Sequence, residues 1–163
     1  MRTLPILFAL SLVPGTLLAQ SSSAPQPTPT DRTRASQMSA AALKEALAKL
    51  PTDRPASSVR VFTLEPYTVN VERRQPKQQG ASLHEAQAEL FYVIEGSGTL
   101  LTGGKLVSET RNGTNLSGTG IEGGTRNAFG KGDFLLVPSG VAHQFVDLTG
   151  EIHLMSLYLP NQH

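Results

Sequence analysis

The sequence contains no cysteine and no tryptophan, and its 14 basic and 13 acidic residues nearly cancel. Because cysteine is absent, the fold forms without disulfides, and any bound metal ion has to be held by nitrogen and oxygen ligands. A net charge of +1 argues against a nucleic-acid partner, which would favour a clustered basic surface. The small basic group of Arg73, Arg74 and Lys77 is interpreted as part of a solvated loop.

The sequence also lacks a long uninterrupted apolar run. Its most apolar stretch, Leu4 to Leu18, is broken by prolines and is shorter than the ~20 residues of a membrane-spanning helix. With Arg2 before it and a small residue, Ala19, after it, the stretch predicts a cleaved signal peptide over residues 1–19, no stable membrane span, and export to the periplasm or out of the cell. Residues 20–37 are rich in Ser, Pro and Thr and are predicted to be a disordered linker.

Residues 38–163 are predicted to form a single domain that begins with one short helix. Within 39–50, Ser39 is a suitable N-cap, leucines recur on one face, and Pro51 ends the run. From Val59 onward the hydrophobic period is two residues, which predicts an all-β sandwich or barrel. The predicted strands include Phe91 to Ile94, Thr99 to Thr102, Phe134 to Val137, Gln144 to Leu148 and Ile152 to Leu159.

One histidine, His143, follows a short apolar strand and a turn. Pro138-Ser-Gly140 combines a preset φ with a flexible residue, which predicts a type I turn at which the chain reverses. His143 is therefore expected at the mouth of whatever the strands enclose, where rigid backbone aims its imidazole at a metal ion or a substrate. The alternative is an ordinary hydrogen-bonded histidine on the rim.

A second segment carries His84 and Glu89 ahead of another apolar strand. The two residues are five positions apart, so on one unbroken strand they would face opposite sides of the sheet. We therefore predict a turn over Glu85 to Ala88, although composition alone favours a helix over Ala81 to Leu90. With that turn, both side chains point inward beside His143 and the two segments can share one ion.

These residues resemble the motifs of the cupin family. Its second motif, G-x5-P-x-G-x2-H-x3-N, is matched at Gly132, Pro138, Gly140 and His143, with Asp147 in place of the final asparagine. Its first motif, G-x5-H-x-H-x3-4-E-x6-G, is matched at His84, Glu89 and Gly96, with Ser82 at the position of the first histidine and Pro76 at that of the leading glycine. The resemblance covers about Val59 to Leu159 and implies a jelly-roll barrel behind one short N-terminal helix.

The resemblance implies that His84, Glu89 and His143 bind a divalent metal ion, which could be iron, manganese, zinc, nickel or copper. The expected protein is an exported metal-dependent enzyme that acts on a small molecule, whether as an oxygenase, an isomerase or a lyase. The alternative is a non-catalytic binding module for a small ligand such as a sugar or an organic acid. The resemblance also implies a homodimer, because members of the cupin family commonly form dimers.

Other residues are left without a firm role. No general base is assigned, although Tyr92, Glu85 and Glu95 are near the first motif in sequence. His153 is interpreted as a core histidine bonded to a neighbour. Residues 103–130 are rich in Gly, Asn and Thr and match no motif. They are expected to be a long loop that either covers the site or follows an irregular path away from it.

Overall fold

The computed structural model describes residues 30–161. The predicted signal peptide and most of the predicted linker lie outside this range, as does His163. One helix and thirteen strands make up the regular structure of the described residues. They are α1 Ala40–Ala48, β1 Ala56–Leu64, β2 Tyr67–Arg74, β3 Ala81–His84, β4 Gln87–Glu95, β5 Gly98–Thr102, β6 Lys105–Val107, β7 Thr110–Asn112, β8 Asn115–Gly118, β9 Gly120–Glu122, β10 Thr125–Phe129, β11 Phe134–Val137, β12 His143–Val146 and β13 Ile152–Pro160.

The strands form two large antiparallel sheets and one small one. The five-stranded sheet has the order β1-β2-β13-β4-β11, and the six-stranded sheet has the order β10-β5-β12-β3-β8-β7. Strands β6 and β9 pair with each other only. This architecture confirms the prediction of an all-β jelly-roll barrel with one short helix.

The core lies between the two large sheets. Phe91 and Val93 of β4 and Leu154 of β13 come from the five-stranded sheet, while Leu100 of β5 and Phe145 of β12 come from the six-stranded sheet. The Phe91 and Phe145 rings meet edge to face, with centroids 5.2 Å apart. Because side chains alternate along a strand, each sheet turns one apolar row toward the other, as the two-residue period predicts.

The single helix is bounded by its N-cap. Ser39 has extended backbone, and its hydroxyl accepts a hydrogen bond from the Ala42 N–H at 3.1 Å. The helix is shorter than the predicted 39–50, since it ends at Ala48. Arg73 anchors the residues that follow, because its guanidinium donates to the Leu50 carbonyl at 2.8 Å and to Glu151 at 3.1 Å.

This contact also corrects the interpretation of the basic group. Arg73 and Arg74 are not in a solvated loop but form the end of β2, where Arg73 is buried and Arg74 is partly buried. The nitrogens of Arg74 donate to one oxygen of Glu72, at 3.0 and 2.7 Å. A run of charges beside a proline resembled a loop, but Glu151 holds the guanidinium of Arg73 in the sheet and the buried Glu72 holds that of Arg74.

Two short connections cross from one sheet to the other. The residues between β3 and β4 lead from the six-stranded sheet to the five-stranded sheet, and the residues between β11 and β12 lead back. In the second connection the Val141 N–H donates to the Pro138 carbonyl at 3.3 Å. Gly140 is the third residue of that turn and has φ +74°, which excludes the predicted type I turn and is the value that a type II turn requires.

The segment 103–130 is not a loop without regular structure. It contains the paired strands β6 and β9, the β7–β8 hairpin, and all of β10, which pairs with β5. Most of its glycine residues lie in the turns between these short strands, whereas its asparagine residues lie in the strands. The sequence expectation therefore missed strands of only three to five residues.

Two further observations concern the predicted division of the chain. The Thr30 N–H donates to the Thr63 carbonyl at 3.1 Å, so the described end of the predicted linker contacts β1. Within residues 30–161, no helix has the length and apolarity needed to cross a bilayer.

Candidate metal centre

Each of the three predicted ligands lies next to one of the crossing connections. His84 is the last residue of β3 and His143 the first residue of β12, and these two strands are neighbours in the six-stranded sheet. Glu89 lies on β4 in the five-stranded sheet. The Gly140 N–H donates to the His84 carbonyl at 2.8 Å, so the two connections are bonded to each other. A turn is present between His84 and Glu89, but it is shorter than the predicted Glu85 to Ala88, because β4 begins at Gln87.

The three side chains converge on one point between the sheets. The Nε2 atoms of His84 and His143 each lie 3.3 Å from Oε2 of Glu89, and one possible ligand atom from each residue lies within 4.8 Å of the other two. The two imidazole centroids are 5.5 Å apart. Ligand bonds of about 2.0–2.2 Å place two donor atoms about 3.0–3.5 Å apart at angles of 90–109°, so this spacing suits a first-row divalent ion.

Glu89 is a buried carboxylate that is ionised. Its side chain is only 3% exposed. Burial by itself would raise the pKa of Glu89, but the contacts and charges of His143 and His84 outweigh it and lower the pKa to about 2. A buried carboxylate that stays charged needs partners that compensate its charge, which here are the Nε2 sides of the two imidazole rings and would be a metal ion in a loaded site.

His84 is held by a hydrogen bond on the far side of its ring. Its Nδ1 lies 2.7 Å from Oδ1 of Asn115. An amide oxygen only accepts, so Nδ1 carries a hydrogen and donates it to Asn115, while Nε2 faces Glu89. Burial lowers the pKa of His84, but the hydrogen bonds to Glu89 and Asn115 and the Glu89 charge raise it above the ordinary value overall.

His143 is more deeply buried than His84. It is 4% exposed, and its ring lies against Phe91 with centroids 6.0 Å apart. Its Nδ1 is buried and has no hydrogen-bond partner within the described part of the chain. The Nε2 atom facing Glu89 therefore makes the one polar contact of the ring in residues 30–161.

Ser82 stands where the family motif has its first histidine. It pairs directly with His143 across β12 and β3, and it lies two residues before His84 on the same strand. Directly opposed residues and residues two apart share a face of the sheet, so Ser82 points to the same side as both histidines. A hydroxyl is a weaker ligand than an imidazole, so the fourth position has no strong protein donor from this residue.

The structure removes the three residues considered as a general base and brings a different titratable side chain to the predicted ligands. Glu85 and Glu95 are exposed and paired with Arg111 and Lys131, and Tyr92 packs on the outward-facing Phe134. By contrast, Tyr158 of β13 is the direct partner of Glu89 on β4.

Tyr158 lies beside the three predicted ligands. Its ring meets the ring of His84 edge to face, with centroids 5.2 Å apart. Burial raises the pKa of Tyr158, and the charges of Glu89 and Glu72 raise it further, so the phenol is a hydrogen-bond donor rather than a base. Sequence reasoning missed it because Tyr158 lies 69 residues beyond Glu89, and only strand pairing brings the two together.

A further polar group lies on the same inner surface. Glu72 accepts a hydrogen bond from the Ser156 hydroxyl at 2.7 Å and from Arg74, and Ser156 is fully buried. Arg74 also lies over the ring of Phe145, 4.4 Å from its centroid. The charge of Glu72 contributes to raising the pKa of both His84 and Tyr158, so this group acts electrostatically on the candidate site.

His153 does not join the site. It lies on β13, and its Nε2 is 2.8 Å from a carboxylate oxygen of Glu151. Its side chain is 22% exposed, so the residue is bonded to a neighbour, as expected, but lies at the edge of the core rather than inside it.

Comparison with known proteins identifies the fold. No family model matches the sequence, and no curated protein is significantly similar to it. Among solved structures, BH2720 from Bacillus halodurans is similar at 17% identity over 82% of this chain and 88% of that one, with a TM-score of 0.54. TT1209 from Thermus thermophilus is similar at 17% identity over 71% of this chain and 95% of that one, with a TM-score of 0.50. The Cnp3 cupin domain of Schizosaccharomyces pombe is similar at 12% identity over 66% and 63% of the two chains, with a TM-score of 0.48.

Identities this low show a shared fold and nothing finer. The two-sheet barrel, with motif residues at the crossings between its sheets, makes this chain a cupin-fold protein. Its three neighbouring donor residues are a possible metal site within that fold.

Proposed function

We propose that the protein is an exported, metal-dependent enzyme acting on a small molecule, with His84, Glu89 and His143 as the ligands of a divalent ion. The observation that carries the proposal is the convergence of two imidazole nitrogens on one oxygen of a buried carboxylate, each at 3.3 Å. Two histidines and one carboxylate occupy three positions of a six-coordinate ion and leave the others for water and substrate.

The donor set fits iron, manganese, zinc, nickel or copper, because all of these accept imidazole and carboxylate ligands. Such an ion polarises a bound oxygen atom or lowers the pKa of bound water. The side chains around the ion supply the other properties of the site. Glu89 stays ionised, the hydrogen bond from His84 to Asn115 keeps Nε2 of the neutral ring free for a ligand bond, and Tyr158 offers an O–H donor beside His84.

The second candidate is a non-catalytic binding module for a sugar or an organic acid. The observation that favours it is Ser82, which faces the histidines at the position where the family motif has a fourth ligand. A barrel that had lost one ligand could keep a ligand-binding interior without turnover.

Elemental analysis of the purified protein tests the metal site. The wild-type protein is expected to retain close to one first-row metal ion per chain, and His84→Ala and His143→Ala are expected to lose it. His153→Ala is the matched control, because His153 is bonded to Glu151 outside the site and its removal is expected to leave the metal content unchanged. Wild-type protein without metal above trace, after incubation with each candidate ion, would overturn the proposal.

Turnover distinguishes the enzyme from the binding module. The loaded protein would be supplied with panels of phenolic compounds, keto acids and sugars, while oxygen uptake and product formation are followed. An enzyme converts at least one class, and His143→Ala abolishes that conversion. Saturable binding without product, unchanged across the panels, would favour the binding module.

Export is a proposal that depends on residues 1–19 alone. The full chain is expected to appear outside the cytoplasm with a mature N-terminus near Gln20, and a chain starting at Gln20 is expected to stay in the cytoplasm. Cell fractionation followed by N-terminal sequencing decides this point. Recovery of the full-length, uncleaved chain in the cytoplasm would contradict it.

A homodimer also stays a proposal, and an exposed apolar patch supports it. Phe134 and Leu136 are 68% and 61% exposed on β11, the edge strand of the five-stranded sheet. A second copy that packs on this edge would cover both side chains. Light scattering is expected to give the mass of a dimer for the wild type and of a monomer for the doubly substituted Phe134→Ser, Leu136→Ser protein. A wild-type monomer, or a double variant that remains dimeric, would exclude this interface.

A further inference from the structure

The β7–β8 hairpin lies within the segment 103–130, which matches no family motif, yet it reaches the candidate metal centre. Strand β8 pairs with β3 in a register that sets Leu83 opposite Leu116 and His84 opposite Asn115. Residues directly opposed in an antiparallel pair point to the same face, so Asn115 is the hairpin residue placed beside His84.

The hairpin is fixed in this place by several contacts. Leu116 is buried and alternates with Asn115 along β8. Just beyond His84, the Glu85 N–H donates to the Thr114 carbonyl at 2.9 Å. The Glu85 carboxylate also accepts two hydrogen bonds from the Arg111 guanidinium, at 2.6 and 2.9 Å. The turn after His84 and the turn of the hairpin are therefore bonded to each other.

Asn115 makes a hydrogen bond that decides which nitrogen of His84 faces the site. Its amide oxygen lies 2.7 Å from Nδ1, on the side of the ring away from Glu89. Because the oxygen only accepts, the bond is formed only when Nδ1 carries hydrogen, and in the neutral ring this leaves the Nε2 lone pair free. A histidine ligand needs its second nitrogen held in this way for its ring to be oriented and its tautomer selected.

We propose that Asn115 is a positioning residue, which accepts a hydrogen bond from Nδ1–H of His84 and so keeps Nε2 directed at Glu89 and His143. The segment 103–130 would then contribute to the centre through a single side chain. His143 has no such partner among the described residues, since its Nδ1 is buried without a hydrogen bond. The ring orientation of His84 is thus set by a residue outside the family motifs, and the consequence for metal affinity rests on the proposed function.

The test follows the Nδ1–H proton of His84 directly in metal-free protein near pH 5, below the raised pKa of His84, where both ring nitrogens carry hydrogen. Proton–nitrogen NMR spectra of the histidine rings show whether that proton is protected from exchange with water by a hydrogen bond. The variants are Asn115→Leu, which removes the acceptor, and Asn115→Asp, which keeps an acceptor oxygen. Asn112→Leu is the matched control, because Asn112 is the partner of Asn115 across the same hairpin.

The wild type, Asn115→Asp and Asn112→Leu are expected to show a slowly exchanging Nδ1–H proton of His84, and Asn115→Leu is expected to lose this pattern. In parallel, calorimetric titration with Zn²⁺ is expected to give a Kd for Asn115→Leu about 10- to 100-fold weaker than that of the wild type, as for other outer partners of metal-bound histidines. Asn112→Leu is expected to bind like the wild type.

A rapidly exchanging Nδ1–H proton of His84 in the wild type, or an unchanged pattern in Asn115→Leu, would overturn the inference. Loss of the pattern in Asn115→Leu while no protein binds Zn²⁺ or another candidate ion would uphold the positioning role and overturn the proposed function instead. The Asn115→Asp variant separates loss of the acceptor from damage to the hairpin, because it restores the bond at the same position.

Discussion

Ser82 and His143 are directly opposed in the pairing of β3 with β12, so the hydroxyl of Ser82 lies on the same inner face as the imidazole of His143. His84 lies two residues further along β3 and shares that face. Three residues of the six-stranded sheet thus face Glu89 of the other sheet, but only two of them carry a strong ligand atom. The first prediction follows from this arrangement.

Replacement of Ser82 by histidine is expected to complete a four-ligand centre. The Kd for Zn²⁺ should fall by at least about tenfold, which corresponds to about 1.4 kcal/mol. Calorimetric titration measures it. Ser36→His is the control, because Ser36 is exposed and lies outside both large sheets. Equal tightening by both substitutions would show that an added surface histidine, and not the position of Ser82, is responsible.

Glu89→Gln is expected to lower the pKa of His84 relative to the wild type in metal-free protein. Burial lowers the pKa of His84, whereas the hydrogen bond to Glu89 and the charge of Glu89 are among the effects that raise it. A neutral amide at position 89 carries no charge, so part of the effect that raises the pKa is lost. NMR titration of His84 measures the change. Glu151→Gln is the control, since Glu151 contacts His153 and not His84. A His84 pKa that is the same in wild type and Glu89→Gln would contradict the coupling of these two groups.

The stability of the metal-free protein is expected to fall on both sides of a slightly acidic range. The pKa of Glu89 is about 2 in the folded protein and about 4.3 in an unfolded chain, so its contribution is present above about pH 4.3 and is lost as the pH falls toward 2. The pKa of His84 is raised, so its contribution is present below about 6.5 and is lost as the pH rises through its folded value.

Urea unfolding of wild type and Glu89→Gln between pH 2 and pH 9 measures this profile. The difference in free energy of unfolding between the two proteins should shrink as the pH falls from about 4.3 to 2, because the wild-type carboxylate becomes protonated. Surface carboxylates titrate in both proteins and cancel in the difference. Two parallel profiles over the acidic range would show that Glu89 is not held ionised by the histidines.

Gly96, the closing glycine of the first motif, is expected to tolerate no side chain. It has φ +90°, and an added methyl group would lie 3.0 Å from the Glu151 carbonyl oxygen and would clash with Ile152. Gly96→Ala should therefore lower the free energy of unfolding by more than the roughly 1–2 kcal/mol of a left-handed alanine. Gly113→Ala is the control, because Gly113 also has a positive φ but has open space around it. If the two variants lost the same free energy of unfolding, the contact with Ile152 would not contribute to the destabilisation of Gly96→Ala.

Much of the fold could be predicted from local patterns in the sequence. The two-residue period predicted strands that the structure places at β4, β5, β11, β12 and β13, and Ser39 and Pro51 marked the approximate ends of the helix. The odd separation of His84 and Glu89 required a break between them, and β3 and β4 are separated there. These features depend on residues near one another in the chain, where propensity and periodicity carry information.

The features that sequence reasoning missed depend on distant pairing. Arg73 resembled a surface residue, but Glu151 and the Leu50 carbonyl hold it in the sheet. Nothing near Asn115 in the chain marks it as the partner of His84. Tyr158 pairs with Glu89 through a register that no local pattern specifies. The three- to five-residue strands of segment 103–130 were too short for their period to stand out.

The amino-acid sequence by itself determined which residues can act as ligands and where the chain has to turn, because donor chemistry and backbone preferences belong to single residues and their neighbours. Only the tertiary structure decided that Glu89 faces His84 and His143 from the opposite sheet, that Ser82 lies beside them, and that Asn115 holds the His84 ring. Those relationships follow from strand order and register, which are selected by the packing of the two sheets around a common core and not by any one segment.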